Sequence, residues 1–307
     1  MKKAYFYIDD TIWVLRDITR QKPATLFDNP FMKMLKDAHD KYGLKVQLNL
    51  FYRTDSFYGY DMFSLADVTD SYKSEFEANS DWLKMAFHAF EEFPDYPHIN
   101  ASYEDTKWLF QNIEKEVIRF AGKDSFAYTV CPHWVPMSKE AVRALKDCGV
   151  KLLDVTRGDT EEYNGDQFSL PYGHAFKLLQ NRQPETKVFL RGGRNTAIDR
   201  SICGYNHIDQ KTDDELFGTL KAIHNEEFDI LFKRYCSTCL NLTPLAEFEK
   251  EYAPLLDDEY IGICDHEQYF YSDYLAYQPD YADKIMKMCE ILTSNGFEFI
   301  CGEELLD

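Results

Sequence analysis

The sequence predicts a single-domain α/β fold in which helical crossovers join the strands of a parallel sheet. Segments with the apolar period of a strand alternate with segments of helical period along the whole chain. At 307 residues the chain is longer than most single domains, but α/β barrels reach this length as one unit. Acidic and histidine side chains also follow several predicted strands, and in a barrel such strand ends meet at one rim.

The first predicted strand, residues 4–8, is apolar and leads directly into two carboxylates, Asp9 and Asp10. Burying two acids is unfavourable unless a metal, a hydrogen-bond network or a reacting proton uses their charge. Successive strand residues point to opposite faces, so the two acids should have different partners. The alternative interpretation is that they form an N-cap or turn for residues 11–17.

A helix follows, with Asp28 or Asn29 as its N-cap, Pro30 in its first turn and Gly43 at its end. Two later helices are predicted to begin after the capping residues Ser102 and Ser138. The remaining predicted helices cover residues 214–224, 245–252 and 279–296.

In the second predicted strand, residues 46–52, the polar residues Gln47 and Asn49 are two positions apart and therefore share one face. In a small barrel that face would point inward. Residues 156–212 are irregular and rich in turns, which predicts a loop-rich insertion rather than a second domain. The further predicted strands are 83–88, 126–130, 150–155, 187–191, 228–232, 260–264 and 297–300.

The charge of the chain bears on its partners and its location. A net charge of −19, from 53 acidic and 34 basic residues, repels phosphate backbones and anionic membranes, so neither is an expected partner. The apolar run after Lys3 is too short for a signal peptide, and no segment approaches the roughly 20 apolar residues of a membrane span. We therefore expect a cytoplasmic protein, and no oligomeric state is predicted.

The eight cysteines are dispersed and lie mostly in apolar segments, as is typical of reduced, buried thiols. Cys236 and Cys239 are the one close pair. The pair has the spacing of half a zinc site or of a redox pair, but no second pair completes four zinc ligands.

Polar residues that follow predicted strands indicate the site. They are Asp9 and Asp10, His88, His133, and Asp265 and His266. One histidine in such a position is more often structural, but four strands that each deliver Asp or His to one rim exceed what core packing requires. The set predicts a metal-assisted hydrolytic site within one cleft.

These residues resemble the motifs of the polysaccharide deacetylase-like proteins, carbohydrate esterase family 4 and its relatives. The matching segments, in order, are Phe6-Tyr-Ile-Asp9-Asp10, Phe87-His88, Ile261-Gly-Ile-Cys-Asp-His266 with Tyr269-Phe270, and Asn295-Gly-Phe-Glu-Phe299. The resemblance implies an incomplete (β/α)7-type barrel, with Asp9 as catalytic base and His266 as general acid. It also implies Asp10 and His88 as ligands of a divalent metal, with Zn²⁺ expected.

The third metal ligand is open, because this chain has Glu92 where the family's second motif has another histidine. We take His133 as the third ligand, with Glu92 and His98 as alternatives.

The identities of two supporting groups are also undecided. The family's arginine before a proline, which orients the base, is replaced by Cys131-Pro132-His133. The candidates to orient Asp9 are Arg16, Arg53 and Arg194. Asp265 or another acceptor is expected to fix the tautomer of His266.

The resemblance implies a hydrolase that removes an acyl group from an N- or O-acylated carbohydrate or a related small amide. Such a substrate would pack against aromatic side chains such as Trp134, Tyr269 and Tyr271, although each of these is more often a core residue.

Two other hypotheses belong to different classes. The altered motifs fit a carbohydrate-binding or regulatory protein on the same barrel, which needs no stoichiometric metal. A glycosidase with Asp9 and Glu267 as its paired carboxylates requires both acids to face one cleft about 5–10 Å apart.

Overall fold

The structure, a computed structural model, describes residues 2–54, 62–92, 97–98, 101–135, 137–155, 222–234, 236–274 and 276–306. The predicted insertion at 156–212, the strand at 187–191 and most of the helix at 214–224 lie outside these ranges. Ten strands and seven α-helices alternate in the described part.

The strands are β1 (Lys2–Thr11), β2 (Val46–Phe51), β3 (Leu83–Ala89), β4 (Thr129–Val130), β5 (Leu152–Val155), β6 (Ile223–Asn225), β7 (Ile230–Arg234), β8 (Thr238–Cys239), β9 (Tyr260–His266) and β10 (Phe297–Phe299). The helices are α1 (Trp13–Gln21), α2 (Pro30–Tyr42), α3 (Lys73–Ala78), α4 (Tyr103–Ala121), α5 (Lys139–Asp147), α6 (Phe248–Tyr252) and α7 (Tyr281–Ser294).

The strands form two sheets. The first has the order β3-β2-β1-β9-β8, all parallel, with β10 parallel to the beginning of β1. The second has the order β4-β5-β7-β6 and is parallel except for the β6–β7 pair. This arrangement confirms the mixed α/β class with a parallel sheet, and it places the carboxyl ends of β1, β2, β3 and β9 side by side.

The two sheets meet between β3 and β4. Phe126 forms a parallel bridge with Met85, and the backbone N–H of Ala127 donates to the Met85 carbonyl at 2.8 Å. Within the described ranges β7 and β8 are not paired, so the strands do not close into a complete barrel.

Strand β1 is buried on both faces. Ala4, Phe6 and Ile8 belong to the main core, whereas Tyr5 and Tyr7 belong to a smaller inner cluster. By alternation Asp9 continues the inner face of Tyr5 and Tyr7.

The inner face also holds a buried ion pair. Lys233 Nζ lies 2.5 Å from Asp154 Oδ1 and 4.8 Å from the ring centre of Tyr5. Burial raises the pKa of Asp154 to about 7, and the charge of Lys233 offsets only part of that rise. The space beneath Asp9 is therefore polar.

The predicted helix caps are confirmed. Asn29 Oδ1 accepts from the backbone N–H groups of Phe31 and Met32. Ser102 and Ser138 accept from the N–H groups three residues further on, at 3.0 Å each. The caps are local, which explains why sequence alone identifies them.

Several predicted elements differ in extent or type from those observed. Strand β4 is shorter than predicted, because Phe126 makes only a single bridge to its neighbour. The helix predicted over 245–252 begins only at Phe248, after a 3₁₀ turn that follows Pro244. The last two residues of the helix predicted over 214–224 belong instead to β6, which pairs with β7. No helix of the described part is long and apolar enough to cross a membrane.

Candidate active site

The backbone of β1 changes course at its carboxyl end. Asp10 has φ of 61°, and the β1–β2 register shifts between Ile8 and Thr11. Aspartate tolerates this left-handed conformation better than most residues do. The change turns Asp10 toward the His88 ring, which Asp9 also faces from 4.0 Å. The prediction of opposite faces is therefore wrong, although the two acids do have different partners.

Neither acid caps α1, so the N-cap interpretation is wrong. Glu267 caps this helix instead. Its Oε2 accepts hydrogen bonds from the backbone N–H groups of Ile12 at 2.7 Å and Trp13 at 2.9 Å, and its Oε1 accepts one from that of Val14 at 2.5 Å. Because its carboxylate holds the amino end of α1, Glu267 does not face Asp9 across a cleft. The paired-carboxylate glycosidase hypothesis thereby loses its second acid.

Asp10, His88 and His133 form a compact triangle of potential ligand atoms. Asp10 Oδ1 lies 3.1 Å from His88 Nε2 and 3.1 Å from His133 Nδ1, and the two ring nitrogens lie 3.2 Å apart. The three side chains come from the ends of β1 and β3 and from the segment after β4, and all are at least 95% buried.

The hydrogen bonds on the far sides of the two rings define their tautomers. His88 Nδ1 lies 2.6 Å from the Cys131 carbonyl oxygen, and His133 Nε2 lies 3.0 Å from the Glu92 carbonyl oxygen. A carbonyl only accepts, so both far nitrogens carry hydrogen. In the neutral rings, the nitrogens facing Asp10 therefore present lone pairs. Two lone pairs and a carboxylate around one point require a shared proton or a metal cation.

The triangle fits a divalent metal. With bonds of about 2.0–2.1 Å, the ligand atoms of a tetrahedral zinc site are separated by about 3.3 Å. The observed sides of 3.1–3.2 Å are close to that value. Three protein ligands leave one position open, as is typical of catalytic zinc. Gln268 Nε2 donates to Asp10 Oδ2 at 2.7 Å and so orients the carboxylate from outside.

The pKa shifts show how strongly the three groups interact. Burial raises the pKa of Asp10, but the charge of His133 and hydrogen bonds from both histidines hold it well below its usual range. Burial lowers the pKa of His88, but Asp9 and Asp10 raise it overall. For His133 burial prevails, and its pKa is lowered. Of the two rings, His88 is therefore the one whose protonated form the surroundings favour.

The two alternative third ligands lie outside the triangle. His98 Nε2 contacts the His88 carbonyl oxygen at 2.8 Å, and burial lowers the pKa of His98 to about 3. Glu92 offers its backbone carbonyl to His133, and its Oε2 lies 3.5 Å from Gln268 Nε2. Geometry thus favours His133 as the third corner.

Asp9 is oriented by a row of neutral polar groups. Asn49 Nδ2 donates to Asp9 Oδ1 at 2.6 Å, Gln47 Nε2 donates to Asn49 Oδ1 at 2.7 Å, and Thr129 Oγ1 donates to Gln47 Oε1 at 2.6 Å. The Cys264 thiol lies 3.4 Å from Asp9 Oδ2. The role of Asn49 was not predicted, although its alternation with Gln47 was a signal that both look inward.

The arginines proposed to orient Asp9 form ion pairs elsewhere or lie outside the described residues. Arg16 pairs with Asp17 at 3.2 Å, and Arg53 pairs with Glu91 at 2.7 Å. Arg194 is outside the described ranges. The amide of Asn49 occupies the position where a charged orienting group was expected.

His266 lies beside Asp9 because β9 pairs with β1 in a register that aligns the two residues. Its Nδ1 is 3.0 Å from Asn241 Oδ1, so this amide oxygen accepts the ring hydrogen. Asp265 does not set the tautomer, since its Oδ1 accepts from the backbone N–H of His266 at 2.9 Å. Burial lowers the pKa of His266, but Cys239, Asp10 and Asp9 raise it well above its usual value. A protonated His266 can donate a proton at neutral pH.

Aromatic rings surround these groups. Tyr269 is buried and packs at 6.2 Å from the ring centre of His266, and half-buried Trp134 packs at 6.2 Å from that of His133. The Tyr271 hydroxyl donates to Glu267 Oε1 at 3.2 Å, which makes this ring part of the α1 cap.

No protein-family model matches the chain, and no curated protein matches it in sequence. The 4-alpha-glucanotransferase from Thermococcus litoralis is similar in structure, with a TM-score of 0.54 and 12% identity over 99% of this chain. The chain spans 40% of that protein's length. A family 4 acetyl xylan esterase from Clostridium thermocellum, solved with a cobalt ion, gives a TM-score of 0.44 and 12% identity over 99% of this chain and 90% of the esterase. The likeness to the glucanotransferase shows a shared fold.

Proposed function

We propose that the chain is a metal-dependent hydrolase that removes an acyl group, acetyl above all, from an N- or O-acylated carbohydrate or a related small amide. The observation that carries this proposal is the Asp10–His88–His133 triangle, in which both far ring nitrogens are held by backbone carbonyls. The motif resemblance supports it. We also propose that the chain forms one incomplete (β/α)7-type barrel of the polysaccharide deacetylase kind.

Asp10, His88 and His133 would hold the divalent cation, for which Zn²⁺ is the first choice. When bound, the cation supplies Lewis acidity toward the acyl oxygen and the attacking water. Gln268 fixes the outer oxygen of Asp10, and the two backbone carbonyls fix the rings. The ligand side chains are thus already held in place, so they would lose little conformational entropy when the cation binds.

Asp9 serves as the general base. Asn49 donates to its Oδ1, and Oδ2 accepts a proton from the attacking water. The thiols of Cys264 and Cys131 lie 3.4 Å and 3.8 Å from Oδ2. His266 gives a proton to the departing amine or alkoxide, while Asn241 keeps the hydrogen on its other ring nitrogen.

The charge of the chain limits the substrate class. A net charge of −19 disfavours nucleic acids, anionic membranes and strongly anionic polysaccharides as partners. A neutral acylated sugar or amide meets no such barrier, and the half-buried Trp134 ring near His133 provides flat apolar surface for a sugar ring.

Elemental analysis combined with hydrolysis of acetylated chromogenic and oligosaccharide substrates tests this proposal. We expect zinc in the triangle, and hydrolysis that a chelator abolishes and that returns when the triangle is refilled with zinc. Asp10→Asn should lose this equivalent of zinc and the hydrolysis, while Asp17→Asn, an acid on α1 outside the triangle, should retain both. Metal binding without hydrolysis of any acyl substrate, or equal behaviour of the two variants, would refute the proposal in favour of a binding protein.

A further inference from the structure

A second set of metal-binding side chains lies at the end of strands β8 and β9. Cys239 on β8 and Cys264 on β9 are register partners in the parallel pair, so their side chains point to the same side. His266 follows Cys264 by two residues on the same strand and shares its face. Two sulfurs and one imidazole are therefore brought together by strand pairing rather than by a flexible loop.

The distances among these atoms suit a tetrahedral cation. His266 Nδ1 lies 3.8 Å from Cys239 Sγ and 4.0 Å from Cys264 Sγ, and the three ligand atoms lie within 4.8 Å of one another. In a tetrahedral zinc site with bonds of about 2.3 Å to sulfur and 2.0–2.1 Å to nitrogen, these atoms are separated by about 3.6 Å.

A fourth donor completes the set. Asn241 Oδ1 lies 3.0 Å from His266 Nδ1 and 2.8 Å from Cys239 Sγ. Both cysteines are buried, whereas His266 is only half-buried.

We propose that Cys239, Cys264 and His266, with Asn241 completing the coordination, bind a thiophilic cation such as Zn²⁺ or Cu⁺. The site is chemically distinct from the Asp10–His88–His133 triangle, because thiolate donors select soft cations whereas a carboxylate with two imidazoles does not. Each cysteine loses its thiol proton and the protonated His266 loses the hydrogen on Nδ1 to solvent as the cation binds, so binding exchanges three protons for one cation.

The second site has a consequence for the first, which rests on the proposed function. Coordination through Nδ1 would replace the hydrogen that His266 shares with Asn241, and the ring would then be a neutral imidazole, whose remaining N–H is a far weaker acid than an imidazolium. His266 then no longer gives up a proton readily, so a thiophilic cation would inhibit hydrolysis without displacing the metal of the triangle. The binding itself does not depend on the chain being a hydrolase.

Titration of the fully reduced protein with Co²⁺ under anaerobic conditions tests the site. We expect two equivalents to bind, of which one produces thiolate-to-cobalt charge-transfer bands and strong tetrahedral d–d bands. Cys239→Ser and Cys264→Ser should each eliminate or markedly weaken these bands and leave the other equivalent in place. His133→Ala should do the reverse, and Cys148→Ser, a half-buried thiol outside both sites, should match the wild type.

Absence of charge-transfer bands in the reduced wild type would overturn the proposal. So would bands that survive unchanged in Cys264→Ser, because they would then belong to Cys131, which lies near Asp9 and His88. If a serine variant fails to fold, X-ray absorption at the cobalt edge of the wild type decides instead, and fewer than two sulfur ligands on one cobalt would refute the site. A protein without hydrolytic activity that still gives these bands would refute the proposed function alone.

Discussion

Replacement of His133 by alanine is the most direct test of the metal triangle. The variant removes one of three ligand atoms and leaves Asp10 and His88 in place. Structural zinc sites with four ligands bind with about 10–16 kcal/mol, or about 3 kcal/mol per ligand at the lower end. Since 1.4 kcal/mol is a factor of ten, we expect zinc affinity to fall by about 100-fold or more.

His98→Ala provides the matched control. His98 is also a buried histidine near the end of β3 and also contacts a backbone carbonyl, but its ring does not reach Asp10. Both variants leave a cavity and lose the hydrogen bond from a ring nitrogen to a backbone carbonyl, so this shared part of their stability losses should be similar. Only His133→Ala should lose the zinc of the triangle.

Zinc affinity is measured by competition with a chromophoric chelator, with thermal unfolding of the metal-free proteins in parallel. An equal loss of affinity in both variants would show that the effect is general destabilisation. Full affinity in His133→Ala together with a loss in His98→Ala would show that the third ligand is assigned to the wrong histidine.

Four further outcomes are expected. Asp9→Asn should lower the rate of hydrolysis by about 10²–10⁴-fold while zinc content, measured by elemental analysis, is unchanged. Gln268→Leu should weaken zinc binding by about 10–100-fold in the same chelator competition, because Asp10 loses its outer hydrogen bond. Glu267→Ala should lower the free energy of unfolding by about 2–3 kcal/mol in urea titrations, since three N–H groups of α1 lose their acceptor. Because the pKa of His88 is raised and zinc must displace its proton, zinc affinity should rise with pH until that pKa is passed, as calorimetry at several pH values would show.

The sequence indicated the site because residues that follow strands converge at one edge of a parallel sheet. Asp10, His88 and His133 could be named on this ground alone, and helix caps such as Asn29 could be named from local patterns. Both inferences depend on local chain geometry, which does not change with the details of side-chain packing.

The missed residues depend on spatial relations that no local pattern contains. Asn49 contacts Asp9 only because β2 lies next to β1, with Ile8 paired to Leu48 just before the register shifts. Asn241 reaches His266 from a turn after β8, a strand too short to predict. Asp10 departs from strand alternation because its own backbone has a positive φ, and the sequence Asp-Asp-Thr does not predict this conformation.

The left-handed backbone at Asp10 limits which residues can replace this aspartate during evolution. Glycine, asparagine and aspartate adopt that conformation readily, whereas a longer or β-branched residue is penalised by about 1–2 kcal/mol before any ligand chemistry is considered. Glutamate, although it carries the same charge, is therefore a poor substitute. If the proposed function holds, a lineage that loses metal binding should drift to asparagine or glycine at position 10, so either residue in a distant homologue would mark a retained backbone with altered chemistry.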